Sequence, residues 1–213
     1  MHHALRSTKA SVSASTLPKT LVIDINDNGK PLPMPPTHMV AVYSSTPSDS
    51  ESRRILLYPI HNSILSLYCA NLPVLAASTP LLATPETPLE VPVVPLALPH
   101  PESFPVLVQF LYLKDARSLF DFFLSIVPER GIPADLAQPV RRDAFVAEYA
   151  KILSQNYAMQ RLTSQAFKVY GLWQNACALG ISDGEIQVFL DLAWATLMLA
   201  LTFASKNAPV IVS

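Results

Sequence analysis

The sequence predicts an α+β fold: short antiparallel strands with helices come first, and a mostly helical C-terminal region follows. Three observations carry this. Before residue 115, short runs rich in Val, Ile, Leu and Tyr alternate with proline-spaced polar turns, the signature of strands and tight connections. Beyond Pro139, proline is absent until Pro209, and apolar residues recur at three- and four-residue spacing. Half of the 213 residues are hydrophobic and only 15% are charged, so the chain can bury a sizeable core. The expected organisation is a flexible Pro/Ser-rich N-terminal segment over 1–37, an α+β domain over 38–127, and a helical extension over 140–206 packing on it.

Within 1–37, Arg6, Lys9 and Lys19 form no amphipathic stripe, so the start reads as an ordinary tail rather than a targeting presequence. The island Thr20–Ile25 has strand composition and runs into a turn signal, Asp27-Asn28-Gly29. Lys30-Pro31-Leu32-Pro33-Met34-Pro35-Pro36 favours an extended polyproline conformation, as a linker or as a ligand for an aromatic groove. His38–Tyr43 and Arg53–Tyr58 read as a hairpin with a long polar tip, and Pro59 suits a helix start. A helix over Ile60–Ala77, broken or capped near Asn71–Pro73, follows from Ile64, Leu65, Leu67, Tyr68, Leu72 and Leu75. Ser78–Glu90 is a proline-spaced loop. Thr79, Thr84 and Thr87, with Thr46 in the hairpin tip, each precede proline. They fit turn chemistry and are also the candidate sites for proline-directed phosphorylation.

Val91–Leu98 is a strand that Pro92 and Pro95 push to a sheet edge or a bulge. Pro99 and Pro101 then turn the chain into a helix whose apolar stripe is Phe104, Leu107, Val108, Leu111 and Tyr112, with Glu102 favourable in the first turn. Ala116–Val127 reads as a buried helix, and 128–139 as a loop with a stop signal at Gly131. Two helices follow. Arg142–Ala158 carries Phe145, Tyr149, Ile152 and Leu153 on one face; Leu162–Leu179 carries Phe167, Tyr170, Trp173 and Ala176. Gly180 ends the second, and Ser182-Asp183-Gly184-Glu185 reads as a cap for a last helix, Glu185–Ala204. That helix is the most apolar and suits a buried core position, with a membrane or interfacial segment and an exposed oligomer face as the alternatives.

Chemistry leaves little trace. The net charge of −1 and the isolated doublets Arg53-Arg54 and Arg141-Arg142 exclude a nucleic-acid footprint. Five glycines without a G-x-G or GK[ST] pattern exclude the common phosphate loops. No histidine stands at ligand spacing from a Cys, Asp or Glu, so neither a metal nor another cofactor is expected. Cys69 and Cys177 read as buried reduced thiols. On a helix, His61 and Cys69 lie about 12 Å apart along the axis, too far for a nucleophile–base pair. The expectation is a non-enzymatic protein with protein partners, itself among them, in the nucleus or cytoplasm. Leu65, Leu72, Phe104, Leu107, Leu111 and Tyr112 are the expected core and interaction residues.

Two resemblances sharpen this. VAVY followed by RRILLYPIH resembles the opening hairpin of a divergent BTB/POZ domain. His61, Leu65, Cys69 and Leu72 match that family's first helix, with Cys69 where serine is usual. PESFPVLVQFLYLK resembles its later helix, with Phe104, Leu107, Phe110, Leu111, Tyr112 and Lys114 in place. His38-Met39 stands where that family has an acidic residue. This resemblance implies a dimerisation and adaptor fold, or a substrate adaptor of a cullin ubiquitin ligase. The run PLALPHPESFPVLVQFLYLKDARSLFDFFL is similar to the clampless-type proteins of mushroom-forming fungi. That similarity implies a regulator of sexual development, in clamp-cell formation and maintenance of the dikaryon below the mating-type factors, without enzymatic activity.

Overall fold

The computed structural model describes residues 8–10, 17–23, 26–27, 30–31, 34–46, 54–78, 89–126, 128 and 138–206. It is α+β with a mostly helical C-terminal region. Contacts divide the chain into two units, Met1–Pro105 with Asn175–Ile181, and Val106–Gln174 with Ser182–Ser213.

The first unit holds a five-stranded mixed sheet in the order β1-β6-β5-β7-β2. Its centre is β5 (His38–Ser44), whose first five residues are all buried. Burial on both faces explains why Met39–Val42 is a continuous apolar run rather than an alternating one. β6 (Ile55–Ile60) pairs antiparallel with β5, with Val40 opposite Tyr58, while β7 (Leu89–Leu98) pairs parallel with it, with Val40 opposite Val94. The hairpin is as expected, but Pro59 lies inside β6 opposite Met39 and does not start a helix. Within the segment expected to be mostly flexible, the Thr20–Ile25 island holds a strand as its composition suggests, and three further short strands are present. β1 (Thr8–Ala10) lies along β6 and β2 (Thr20–Ile23) along β7; a separate two-stranded ribbon joins β3 (Asn26–Asp27) to β4 (Lys30–Pro31).

β7 was expected at a sheet edge or a bulge because of its prolines; the strand order places it between β5 and β2, but among the described residues Val94–Leu98, with Pro95, pairs on the β5 side alone. Its two halves pair on opposite flanks, Leu89–Pro92 with β2 and Val93–Leu98 with β5. The Val93 N–H points to the β2 side, where it donates to Lys19 O at 2.9 Å. Backbone donors alternate along a strand, so Pro95 turns its missing N–H the same way, beyond the end of β2, and removes no bond to β5. Met39, Leu89 and Val91 form a core cluster with Leu21, Ile23, Leu57 and Val93 against them.

α1 (Asn62–Tyr68) is much shorter than the periodicity predicts. Cys69 leaves it in an extended conformation and bridges to Ile181, and Asn71 N–H donates to Leu179 O at 2.9 Å. The chain after Tyr68 therefore spends its backbone groups on a partner more than a hundred residues away in sequence. A 3-10 turn (Pro101–Ser103) leads into α2 (Phe104–Leu113), whose first residue is fully buried with its ring 5.4 Å from Tyr58.

In the second unit, Asp115 caps α3 (Ala116–Leu124) by accepting from Arg117 N–H at 3.0 Å, and Ser125 ends it in the left-handed region at φ 61°. α4 (Pro139–Asn156) and α3 both pack on α6 (Gly184–Lys206). Phe120 and Phe123 of α3 meet Phe189 of α6 with ring centroids 4.8 and 5.7 Å apart. Tyr149 of α4 is fully buried and donates its hydroxyl to Ile126 O. The cap of α6 is Asp183 rather than Ser182, accepting from Glu185 N–H at 3.0 Å and Ile186 N–H at 3.2 Å. Among the described residues α6 is the one helix long and apolar enough to cross a membrane, and 44% of its most apolar window is buried.

Candidate functional site

α5 (Met159–Leu179) carries two stripes at helical spacing. One is Leu162, Gln165, Ala166, Val169, Leu172, Asn175, Ala176 and Leu179, all buried. The other is Phe167, Tyr170 and Trp173, which are 67%, 43% and 48% exposed. This overturns the expected face: of the four residues assigned to it, only Ala176 is in the core. The aromatic rings lie on the surface because smaller side chains already fill the inner face.

Trp194 of α6, 44% exposed, completes an aromatic surface with them. Tyr170 stacks on Trp173, with centroids 5.6 Å apart and planes 24° apart, and Trp194 leans at 45° with its centroid 6.4 Å from Tyr170. These rings, with Val169, Leu190 and Asp191, line a groove of about 270 Å³. Val169 and Leu190 are buried and make an apolar floor. Asp191 is the charged lining residue; its side chain is 70% exposed, and its Oδ2 lies 3.9 Å from the Arg142 guanidinium of α4. Among the described residues, no hydrogen-bond partner engages the Tyr170 hydroxyl or the indole N–H of Trp173 or Trp194. Rings that present three donors and no competing internal acceptor suit a guest rich in carbonyl oxygens.

The residues expected to form the core fall into two groups. Leu65, Phe104, Leu107 and Leu111 are buried, whereas Leu72 and Tyr112 are half-buried. Leu72 lies four residues past the end of α1, so its helical match to Leu65 and Cys69 does not hold. Cys69 is buried, and burial pushes its thiol up to about 11; Cys177, expected buried, is exposed. Thr46 is exposed, with its N–H donating to Ser44 Oγ at 3.2 Å. Thr79, Thr84, Thr87 and nearly all of the loop that holds Gly131 lie outside the described residues.

A hydroxyl–imidazole contact that sequence reasoning missed joins Ser103 Oγ to His100 Nδ1 at 2.7 Å. Glu102 approaches the same nitrogen at 3.9 Å. A relay needs its carboxylate on the other nitrogen and an open hydroxyl, and Ser103 is buried. The contact ties together the side chains at the two ends of the turn before α2. Asn175 supports the same turn from the end of α5: its Nδ2 donates to His100 O at 2.7 Å and its Oδ1 accepts from His100 N–H at 3.0 Å. His38, buried at the start of β5, lies 2.8 Å from Ala76 O through Nε2 and 2.9 Å from Thr37 Oγ1 through Nδ1. Among the described residues, no group of three or more His, Cys, Asp or Glu gathers as a metal site would need.

Fold and site together define an α+β protein with a helical C-terminal region that presents an aromatic groove. The chain belongs to the clampless protein family: residues 1–99 match the Clampless protein 1 N-terminal domain and residues 118–213 its C-terminal domain. Membership ties it to clamp formation in fungal development. No curated protein and no solved structure matches it.

Proposed function

We propose that this chain is a non-enzymatic regulatory adaptor in clamp-cell development, and that it acts by holding partner proteins on the groove between α5 and α6. The observation that carries the reading is the half-exposed cluster of Tyr170, Trp173 and Trp194. Together with Phe167 it leaves roughly 400 Å² of aromatic surface in water, the size of patch that soluble chains keep for interaction. In the first unit, the strand order β6-β5-β7, with β5 and β7 parallel and α1 between them in sequence, supports a BTB/POZ-like arrangement over 38–127. The burial of Ser103 beside His100 supports a structural role there rather than catalysis.

The test is complementation of a clamp-defective strain. Wild-type protein restores clamps, while Trp173→Ala and Trp194→Ala proteins accumulate to the same level and do not. Full rescue by both variants refutes the proposal.

A further inference from the structure

We infer that the α5/α6 groove takes a proline-rich, polyproline-II segment of a partner protein, carrying a basic residue at one end. This rests on the adaptor reading and names the chemistry of its guest. Three properties of the groove point to it.

The first is hydrogen-bond sense. The Trp173 and Trp194 indole N–H groups and the Tyr170 hydroxyl are donors with no partner among the described residues. A docking helix or strand arrives with its carbonyls paired or with N–H groups of its own to satisfy. A polyproline segment has no internal hydrogen bonds, its carbonyls point outward, and its prolines carry no N–H. It therefore offers acceptors to a platform whose rings carry donors.

The second is shape. Tyr170 and Trp173 make a near-parallel platform, and Trp194 rises from it at 45°. Flat rings meeting an inclined ring over an aliphatic floor suit the pyrrolidine ridge of a polyproline helix, whose turn spans about 9 Å. The third is charge. Asp191 is acidic and 70% exposed at the groove, and its contact with Arg142 at 3.9 Å is longer than a hydrogen bond, so a basic residue of the guest can compete for it. The chain's own Lys30-Pro31-Leu32-Pro33-Met34-Pro35-Pro36 has this chemistry but is not the guest. Lys30 and Pro31 form β4 and Pro36 is buried.

The test titrates the full chain into a labelled decapeptide of Arg followed by three Leu-Pro-Pro repeats, read by fluorescence polarisation and by tryptophan emission. Saturable binding is expected, and it disappears when serine replaces each proline of the peptide. Trp194→Ala weakens it by about tenfold or more, as loss of a central aromatic anchor does. Trp194→Phe keeps a ring but no N–H, and weakens it by about fivefold, one net hydrogen bond. Asp191→Asn weakens it by about threefold and flattens its salt dependence. Both positions are exposed, and unchanged melting certifies the three variants as folded.

Absence of saturable binding, equal binding of the serine peptide, or wild-type affinity in Trp194→Phe overturns the inference. So does preferential capture of an amphipathic Leu/Lys helical peptide, or a dimer by light scattering that Trp194→Ala dissolves. If the proline peptide fails while Trp194→Ala still abolishes clamp rescue, the guest assignment falls and the adaptor reading stands.

Discussion

Asn175 is the residue whose removal tests the fold most sharply. It is 0% exposed, and its amide spans the His100 peptide flanks, giving at 2.7 Å and receiving at 3.0 Å. Pro99 and Pro101 on either side supply no N–H, and Ser103 N–H, which also donates to His100 O at 3.1 Å, cannot accept from His100 N–H. Truncation in Asn175→Ala therefore leaves the His100 N–H without its partner, while His100 O keeps the bond from Ser103. One orphaned buried group costs about 1–3 kcal/mol, and partial access of water at half-buried His100 brings the expected total to about 1–2 kcal/mol. For a chain of this length that lowers Tm by about 3–6 °C. Asn175→Asp keeps the acceptor, loses the donor and places a carboxylate in a dry site, so at neutral pH it loses more than the alanine variant. Urea unfolding followed by circular dichroism, with an unchanged slope against urea, reads both. An alanine variant within about 0.5 kcal/mol of wild type, or an aspartate variant no weaker than alanine, refutes the account of this turn.

Gly180→Ala destabilises for two reasons: φ is +66°, and an added Cβ would stand 2.9 Å from Asn71 Nδ2 and 3.1 Å from Ala70 Cβ. The backbone term alone is about 1–2 kcal/mol, and an unchanged melting temperature sinks it. At Asp183, burial on its own raises the carboxyl, but the Lys114 ammonium at 2.5 Å and the Ile186 and Glu185 N–H groups hold it below the ordinary carboxylate value. A lowered folded-state value gives stability that is complete above the unfolded value of about 4 and fades as pH falls through the folded one. Asn keeps the cap without the charge, so the gap between wild type and Asp183→Asn, about 1 kcal/mol near neutrality, closes on acidification. A gap that is the same at both ends of the range contradicts the ion pair. A thiol reagent at neutral pH attaches once per native chain, at exposed Cys177, and twice in denaturant; burial and a thiol raised to about 11 protect Cys69. Two adducts on the native chain, counted by mass spectrometry, would falsify the burial of Cys69.

What could be read from the sequence was what short-range pattern determines. The β5/β6 hairpin, β7, α2, α3 and the three long helices follow from period-two and helical spacing together with proline and glycine punctuation. What could not be read depends on pairing across the chain. β1 is three residues long, and a strand that short exists only because β6 offers a free edge. β2 was legible as the Thr20–Ile25 island, but its pairing with β7 was not. α1 ends near the break read at Asn71–Pro73, while the partner of Asn71, Leu179, is one its own neighbourhood does not announce. The pairing of Leu89–Pro92 with β2, which leaves Pro95 beyond the end of that strand, was likewise not legible.

The groove was hidden for a different reason. Leu172 and Trp173 are adjacent in sequence and about 100° apart on the helix, and each begins a credible apolar stripe. Side-chain size favours the aromatic stripe as the core, but the stripe that is buried is the one of smaller residues, with Leu162, Ala166, Val169, Leu172 and Ala176 inside. Once the inner face is closed by small and aliphatic residues, large rings have no room there and remain in water. With 15% of its residues charged, the chain has little polar surface to offset such a patch. An unoccupied aromatic face on so weakly charged a protein favours aggregation, so its retention is intelligible when a guest covers it for much of the time. On the proposed reading, stability and recognition fall to neighbouring stripes of one helix. Changes on the Leu172 side should move melting, and changes on the Trp173 side should move binding.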